Sequence, residues 1–153
     1  ISQPFIVALM TDLLDPEPGD RVLEVGTGCG YQAAVLAELV AAVYSIEYLP
    51  ELAREAAATI AHLGYTNIHL RTGNGREGWP EEAPFDGIIV TAGATDVPPA
   101  LIEQLAPGGR LVIPVGRGRM GQELVRITKS RDGRVDRQSM LPVAFVPLRG
   151  GTT

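Results

Sequence analysis

The stretch Val22-Leu-Glu-Val-Gly-Thr-Gly-Cys-Gly-Tyr-Gln32 decides how this chain reads. Its first four residues form a short apolar run with one acid, Glu24, which suits a buried strand. Gly26, Gly28 and Gly30 then permit a sharp turn. They also let a ligand approach main-chain N–H groups where a helix begins. A dinucleotide fingerprint needs a further glycine three residues after Gly28, and that position is Tyr31, a bulky residue where close helix–strand packing is wanted. Glu24 lies two residues before Gly26. A carboxylate at that strand end repels a pyrophosphate and attracts an ammonium group.

The residues beyond the loop narrow the ligand. Ala42–Ile46 is a second apolar run, closed by Glu47. An acid about 20 residues after the first glycine is where a carboxylate holds a ribose diol. An adenosine, an amino-acid cation and no phosphate together describe S-adenosylmethionine. The plainer alternative is a tight strand-to-helix turn beside two surface acids.

The 153 residues fit one domain. No apolar run approaches the ~20 residues of a membrane span, so no membrane partner is expected. The net charge of −5 lacks the basic footprint of a nucleic-acid binder. Cys29 is the single cysteine, which excludes an intrachain disulfide and a cysteine-built zinc site. A reducing, cytoplasmic setting and a monomer are the simplest expectations. The chain opens Ile-Ser without a Met, as a fragment or a processed form would. His62 and His69 have no acidic, His or Cys partner at ligand spacing, so no metal is expected.

Strand-like runs at 21–25, 42–46, 67–71, 86–91 and 109–115 alternate with helical patterns at 31–40, 50–62 and 98–106. That alternation predicts a doubly wound, mostly parallel α/β sheet. Stretches 122–130 and about 134–147 follow, joined by Asp132-Gly133, which predicts a closing antiparallel hairpin. A helix is expected over 4–14, with Ser2 or Gln3 near its N-cap and Pro4 in its first turn. The single domain thus divides into a leading helix within 1–14, βα units over 20–116 and antiparallel strands over 122–148. In such sheets ligands sit beyond the carboxyl ends of the strands. Glu24–Gly30, Glu47-Tyr48, Gly73-Asn74-Gly75, Thr91–Ala94 and Pro114–Gly116 all fall at those ends.

Asn74 is expected to meet an adenine edge, since an amide offers both donor and acceptor; the alternative is a turn residue. Asp86 reads as a partner at a strand start, and Trp79 as loop packing. Arg117 and Arg119, in the glycine-rich 116–121 loop, read as solvated charges. Thr91-Ala92-Gly93-Ala94 lacks the Asn/Asp-Pro-Pro-aromatic pattern of amino-group methyltransferases.

The opening Ile-Ser-Gln-Pro-Phe-Ile-Val-Ala-Leu-Met resembles the segment before the cofactor loop in protein-L-isoaspartate (D-aspartate) O-methyltransferases. So do Leu-Glu-Val-Gly-Thr-Gly-Cys-Gly-Tyr-Gln, Phe-Asp-Gly-Ile-Ile-Val-Thr-Ala-Gly-Ala, Pro-Gly-Gly-Arg-Leu-Val-Ile-Pro-Val-Gly and the closing Phe-Val-Pro-Leu at 145–148. The resemblance runs over essentially the whole chain. It implies a class I, Rossmann-like methyltransferase fold with a seven-stranded sheet. It implies methyl transfer from S-adenosylmethionine, leaving S-adenosylhomocysteine, to the free carboxylate of L-isoaspartyl and D-aspartyl residues. The partners would then be age-damaged proteins, and the outcome protein repair. By the same resemblance Ser2 falls on the family's active-site serine. Gly26, Thr27, Gly28, Gly30, Glu47 and Gly75 fall on its cofactor positions, with Glu24 opening the motif; Tyr48 and Asn74, at the ends of the second and third strands, are expected to bind the cofactor as well. The substrate peptide is expected against Val115 and Val146. Many members have Gly-Asp-Gly where this chain has Gly73-Asn74-Gly75, and roughly 50 or more residues before Ile1 that cover the pocket.

Three other readings stay open from the residues alone. They are an S-adenosylmethionine methyltransferase for a small molecule or RNA, a non-catalytic adenosine-binding domain, and a nicotinamide oxidoreductase. Glu24 and Tyr31 disfavour the last.

Overall fold

The structure, a computed structural model, describes residues 2–118 and 121–150. Ile1 of the opening motif and Arg119 of the glycine-rich loop lie outside them. In chain order the elements are α1 (Pro4–Leu14), β1 (Arg21–Val25), α2 (Tyr31–Ala37), β2 (Ala42–Glu47), α3 (Pro50–Leu63), β3 (Ile68–Thr72), β4 (Phe85–Val90), α4 (Pro99–Gln104), β5 (Leu105–Val115), β6 (Gln122–Lys129) and β7 (Val135–Val143), with short 3-10 turns at Gly75–Glu77 and Pro80–Glu82. They build one seven-stranded sheet of order β3-β2-β1-β4-β5-β6-β7. The first five strands pair in parallel, and β6 runs antiparallel to both β5 and β7.

Parallel strands must be covered on both faces, so they read as continuous apolar runs. Alternate residues of β1 serve opposite faces. Leu23 and Val25 pack with Ile46, Ile88, Val90 and Leu101 of α4. Val22 packs with Val43, Ile89, Met10 and Leu14 of α1, and Ala33 and Leu36 of α2. Glu24 shares this second face. Trp79 and Ala83 lie against the first cluster. Asp86 Oδ2 accepts from the Arg21 N–H at 2.9 Å, as expected for a strand-start partner.

The differences from the expected boundaries have local causes. Helix α4 ends at Gln104, and Leu105-Ala106 join β5. Pro107 clashes with helical geometry at Ala106, so the chain turns extended there. The register of β4 on β5 then shifts between Phe85 and Gly87. Helix α2 stops at Ala37, and Leu39 and Val40 both donate to the Leu36 carbonyl in a tightened last turn. Strand β7 ends at Val143 instead of near 147. The chain leaves the sheet there and crosses to Gly93, whose N–H donates to Val146 O and whose carbonyl accepts from Leu148. The hairpin turn lies at 130–134, with Gly133 at φ +89°.

The carbonyls at the end of α4 are held from β6. Lys129 Nζ donates to Ile102 O at 2.7 Å and to Leu105 O at 2.8 Å. Lys129→Met keeps the stem and removes both charge-assisted bonds. It should cost about 1–3 kcal/mol, read as a lower denaturation midpoint at unchanged denaturant slope.

Candidate functional site

Strand order reverses between β1 and β4, the switch point at which such sheets form a ligand crevice. A cavity of about 570 Å³ lies beyond the carboxyl ends of the strands. Ser2, Gln3, Ile6, Val7 and Met10 line it from the head of α1. Val25–Cys29, Tyr31 and Gln32 line it from the glycine loop and α2, and Ile46–Leu49 from the end of β2. Thr91-Ala92 and the strap 142–149 complete it. A pocket for a small molecule or cofactor commonly spans roughly 300–1,000 Å³.

Glu47 is buried and fixed by two main-chain donors. Gly28 N–H donates to its Oε1 and Leu49 N–H to its Oε2, both at 2.9 Å. Each carboxylate oxygen has two acceptor directions, so one per oxygen remains. Glu47 lines the cavity, so the remaining acceptor on each oxygen is available to a vicinal diol. Gly26 is needed for a different reason. Its φ is +101°, and a Cβ there would lie 2.6 Å from Thr91 Oγ1. The same hydroxyl donates to Gly26 O at 2.7 Å and fastens the loop to the end of β4.

Glu24 behaves differently from its expected role. It is fully buried, pairs in register with Ser45 and Ile89, and lines no part of the cavity. Ser45 Oγ lies 2.5 Å from Glu24 Oε1 and 2.6 Å from Thr27 Oγ1. Burial raises the Glu24 carboxyl from 4.5 to about 8; the Ser45 hydroxyl opposes this and the Glu47 charge adds to it. A group that is uncharged at neutral pH and walled off from the cavity does not attract an ammonium ion. The sequence pattern does not reveal this, because helices packed from elsewhere create the burial.

Other expected residues separate into those at the cavity and those behind it. Ser2, Gly26, Thr27, Gly28, Glu47, Tyr48 and Val146 line it. The N-cap of α1 is Gln3, without a side-chain cap bond, so Ser2 is not spent on capping. Gly30, with φ +88°, opens α2 and rests against Ile60. Gly75 is packed against Val25: a Cβ would fall 2.2 Å from Val25 Cγ1. Asn74 is drawn away from an adenine contact. Its Oδ1 accepts from Arg76 N–H at 3.0 Å and its Nδ2 donates to Gly150 O at 2.9 Å. Val115 lies outside the cavity. Its neighbours Pro114 O and Gly116 N–H are already paired with Ala94, which removes the main-chain groups expected to hold a peptide. Tyr31 is half-exposed at the cavity rim and does not crowd the helix–strand contact. Arg117 is exposed, as a solvated charge.

Two polar residues were not anticipated. Gln122 acts as a substitute strand for the strap. Its Oε1 accepts from Phe145 N–H at 2.8 Å and its Nε2 donates to Phe145 O at 3.1 Å. Gln32 ties α2 to α1 by donating to Thr11 Oγ1 at 2.9 Å, while Thr11 donates to Val7 O at 2.7 Å. A lone Gln in the apolar pattern of α2 was the available signal for Gln32; Gln122, between Gly121 and Glu123, carries no such signal.

The family model described as Protein-L-isoaspartate(D-aspartate) O-methyltransferase matches residues 1–153. The chain belongs to this family. A Protein-L-isoaspartate O-methyltransferase 2 of Polaromonas sp. is 57% identical over 150 residues, covering 98% of this chain and 71% of the relative. The protein of the same description from Syntrophobacter fumaroxidans is 57% identical, covering 99% of this chain and 61% of the relative. The chain therefore spans about three-fifths to seven-tenths of these relatives. A solved protein-L-isoaspartate O-methyltransferase superposes with TM-score 0.89 at 31% identity, over 98% of this chain and 48% of that one. A Plasmodium falciparum protein, described as putative in that family and in complex with S-adenosyl-L-homocysteine, superposes at 0.81 with 26% identity, over 97% of this chain and 75% of that one. The seven-stranded α/β methyltransferase fold of the family is thus the fold of this chain.

The acid at Glu24 makes the fold pH-sensitive with a definite sign. Its native value is raised above the unfolded one. The folded chain therefore holds a proton that the unfolded chain releases between about pH 4.5 and 8. Stability falls through that window and levels above it. The loss reaches on the order of 3 kcal/mol at pH 7. Urea denaturation of wild type and Glu24→Gln between pH 5 and 9 should show a difference that grows in favour of the amide. A difference independent of pH would mean Glu24 is ionised throughout.

Proposed function

We propose that this chain transfers a methyl group from S-adenosylmethionine to the free carboxylate of L-isoaspartyl residues, and of D-aspartyl residues, in damaged proteins. One observation carries the reading. The diol-matching Glu47 carboxylate and the uncapped Ser2 line the same cavity, so cofactor and substrate ends meet within it. Family membership over the whole chain supports the same chemistry.

The donor set fits the cofactor. Glu47 offers two acceptors to the ribose hydroxyls, and Gly26 and Gly28 add no side chain of their own to the loop. Tyr48 stands at the rim. Glu24, through Ser45, and Gly30 support this loop from behind, and Gly75 packs against Val25 where it begins. When bound, S-adenosylmethionine supplies an electrophilic methyl on a sulfonium, which leaves as the neutral thioether of S-adenosylhomocysteine. The attacking isoaspartyl carboxylate is already ionised at neutral pH, so the chain needs no strong general base. Its residues have three tasks: to hold the adenosine, to aim the carboxylate and to exclude water. Orientation of this kind is worth up to roughly 7–11 kcal/mol. Ser2 donates its hydroxyl to the carboxylate. The strap 144–148, pinned by Gln122 and Gly93, carries Val146 at the cavity mouth beside the peptide.

The reading takes the chain to act as a monomer. The exposed free thiol of Cys29 suits a reducing cytoplasm. No helix among the described residues is long and apolar enough to cross a membrane.

The direct test is methyl transfer from labelled S-adenosylmethionine to an isoaspartyl peptide and to its normal aspartyl isomer. The account expects methylation of the first alone. Equal transfer to both, with cofactor bound, would contradict the substrate assignment. Ser2→Ala should lower turnover on the isoaspartyl peptide by about 10- to 100-fold, with little change in S-adenosylhomocysteine affinity. Glu47→Ala should do the reverse. Loss of its charge-assisted bonds weakens cofactor binding by about 10-fold or more in calorimetry.

A further inference from the structure

A second cavity adjoins the first, and its charge is opposite to that of the chain around it. It holds about 350 Å³. Tyr48, Pro147, Leu148 and Arg149 line both cavities, so the strap is their common wall. The far side is made by Arg76, Thr95 and the glycines around the end of β5. Two of the lining residues are arginines and none is acidic, in a chain whose net charge is −5.

Neither arginine has an anionic partner. Among the described residues no ion pair includes Arg76 or Arg149. Arg149 is exposed, and by itself it reads as a solvated charge. Arg76 is held differently. It follows Gly75, which packs on Val25, and its main-chain N–H donates to Asn74 Oδ1 at 3.0 Å. Its Nε is buried and meets no hydrogen-bond partner among the described residues. A buried donor without an acceptor is costly, and more so on a charged group. The acceptors nearby are already engaged. Gly150 O takes the Asn74 amide, Gly118 O takes the Gln122 amide, and Gln122 Oε1 takes the Phe145 N–H. A guanidinium presents its donors as a planar fork, which matches a carboxylate.

We propose that the second cavity is a subsite for an acidic side chain of the substrate polypeptide, with Arg76 and Arg149 as its specificity-determining residues. This rests on the methyl-transfer reading above. In that reading the peptide passes Val146 at the mouth of the first cavity. Arg149 is three residues further along the strap, a span of at most about 10 Å. About three residues of an extended peptide cover the same distance. The acid therefore belongs within about three residues of the isoaspartyl group. The cofactor carries a carboxylate of its own, and the test separates the two anions.

The test uses isoaspartyl peptides that differ only in having Glu or Gln at one of these flanking positions, on either side. At the best position the wild-type kcat/KM should be about 5- to 10-fold higher for Glu, mostly through KM. Arg76→Gln should bring that ratio within about twofold of unity. It should leave both the Gln peptide and S-adenosylhomocysteine affinity, read by calorimetry, unchanged. Arg149→Gln should lower the ratio as well. Arg117→Gln removes the same charge from a residue that does not line the cavity, and should keep the wild-type ratio.

A wild-type protein that methylates the peptides without preferring Glu at any position would overturn the inference and leave methyl transfer standing. An equal loss of preference in Arg117→Gln would assign it to the general field of the chain. Weaker S-adenosylhomocysteine binding in Arg76→Gln would assign that arginine to the cofactor. Either result overturns the subsite. If Arg76→Gln does not fold, Arg149→Gln against the Arg117→Gln control decides. Failure to methylate any isoaspartyl peptide would sink the methyl-transfer reading, and the subsite with it.

Discussion

A carboxylate gripped by two main-chain donors organises the working end of this fold. Glu47 closes β2, takes the Gly28 N–H from the loop after β1 and takes the Leu49 N–H at the start of α3. The carboxyl edge of a parallel sheet otherwise leaves such groups exposed to solvent or ligand. Joining them at one side chain fixes the loop's distance from β2. It also fixes the plane of the carboxylate before any ligand arrives. Pre-organisation of this kind reduces the ordering cost of binding. The glycines serve the same geometry: Gly26 lets Thr91 close over the loop, and Gly75 lets Val25 pass beneath the next one.

The face of the sheet under α1 and α2 carries an unusual amount of buried polarity. Glu24, Ser45, Thr27, Gln32 and Thr11 are all buried there. Apolar residues of the same shape would pack with less penalty, since every polar group taken from water requires a partner. The cluster bridges the two elements that must be aligned for transfer. Gln32 and Thr11 register α1, which carries Ser2, against α2. Ser45 and Glu24 anchor Thr27 beside Glu47. The bonds that join α1 to the glycine loop are thus short-range and uncharged, and the low dielectric around them strengthens each one.

Much of this was legible in the sequence because the governing rules are local. The β1 run, the three glycines and Glu47 announced the crevice. The alternation of strand and helix announced a doubly wound sheet, and Asp132-Gly133 its closing hairpin. What was not legible depends on residues brought from far along the chain. The protonation of Glu24 follows from helices packed over it. The Asn74 amide is claimed by Gly150, and the ends of Phe145 by Gln122. Pro114 and Gly116 are spent on Ala94. The early end of α4 is legible too, since Pro107 disfavours a helical Ala106 even though the apolar pattern runs on past Gln104.

A crystal structure of this chain with S-adenosylhomocysteine tests the central claim most directly. The account predicts the ribose hydroxyls on the two free acceptor directions of Glu47, with the Gly28 and Leu49 bonds kept and Glu24 still walled off behind Ser45. A ligand held elsewhere, or a Glu47 carboxylate that swings out of its two main-chain bonds to reach it, would contradict the claim that the site is built before the cofactor binds.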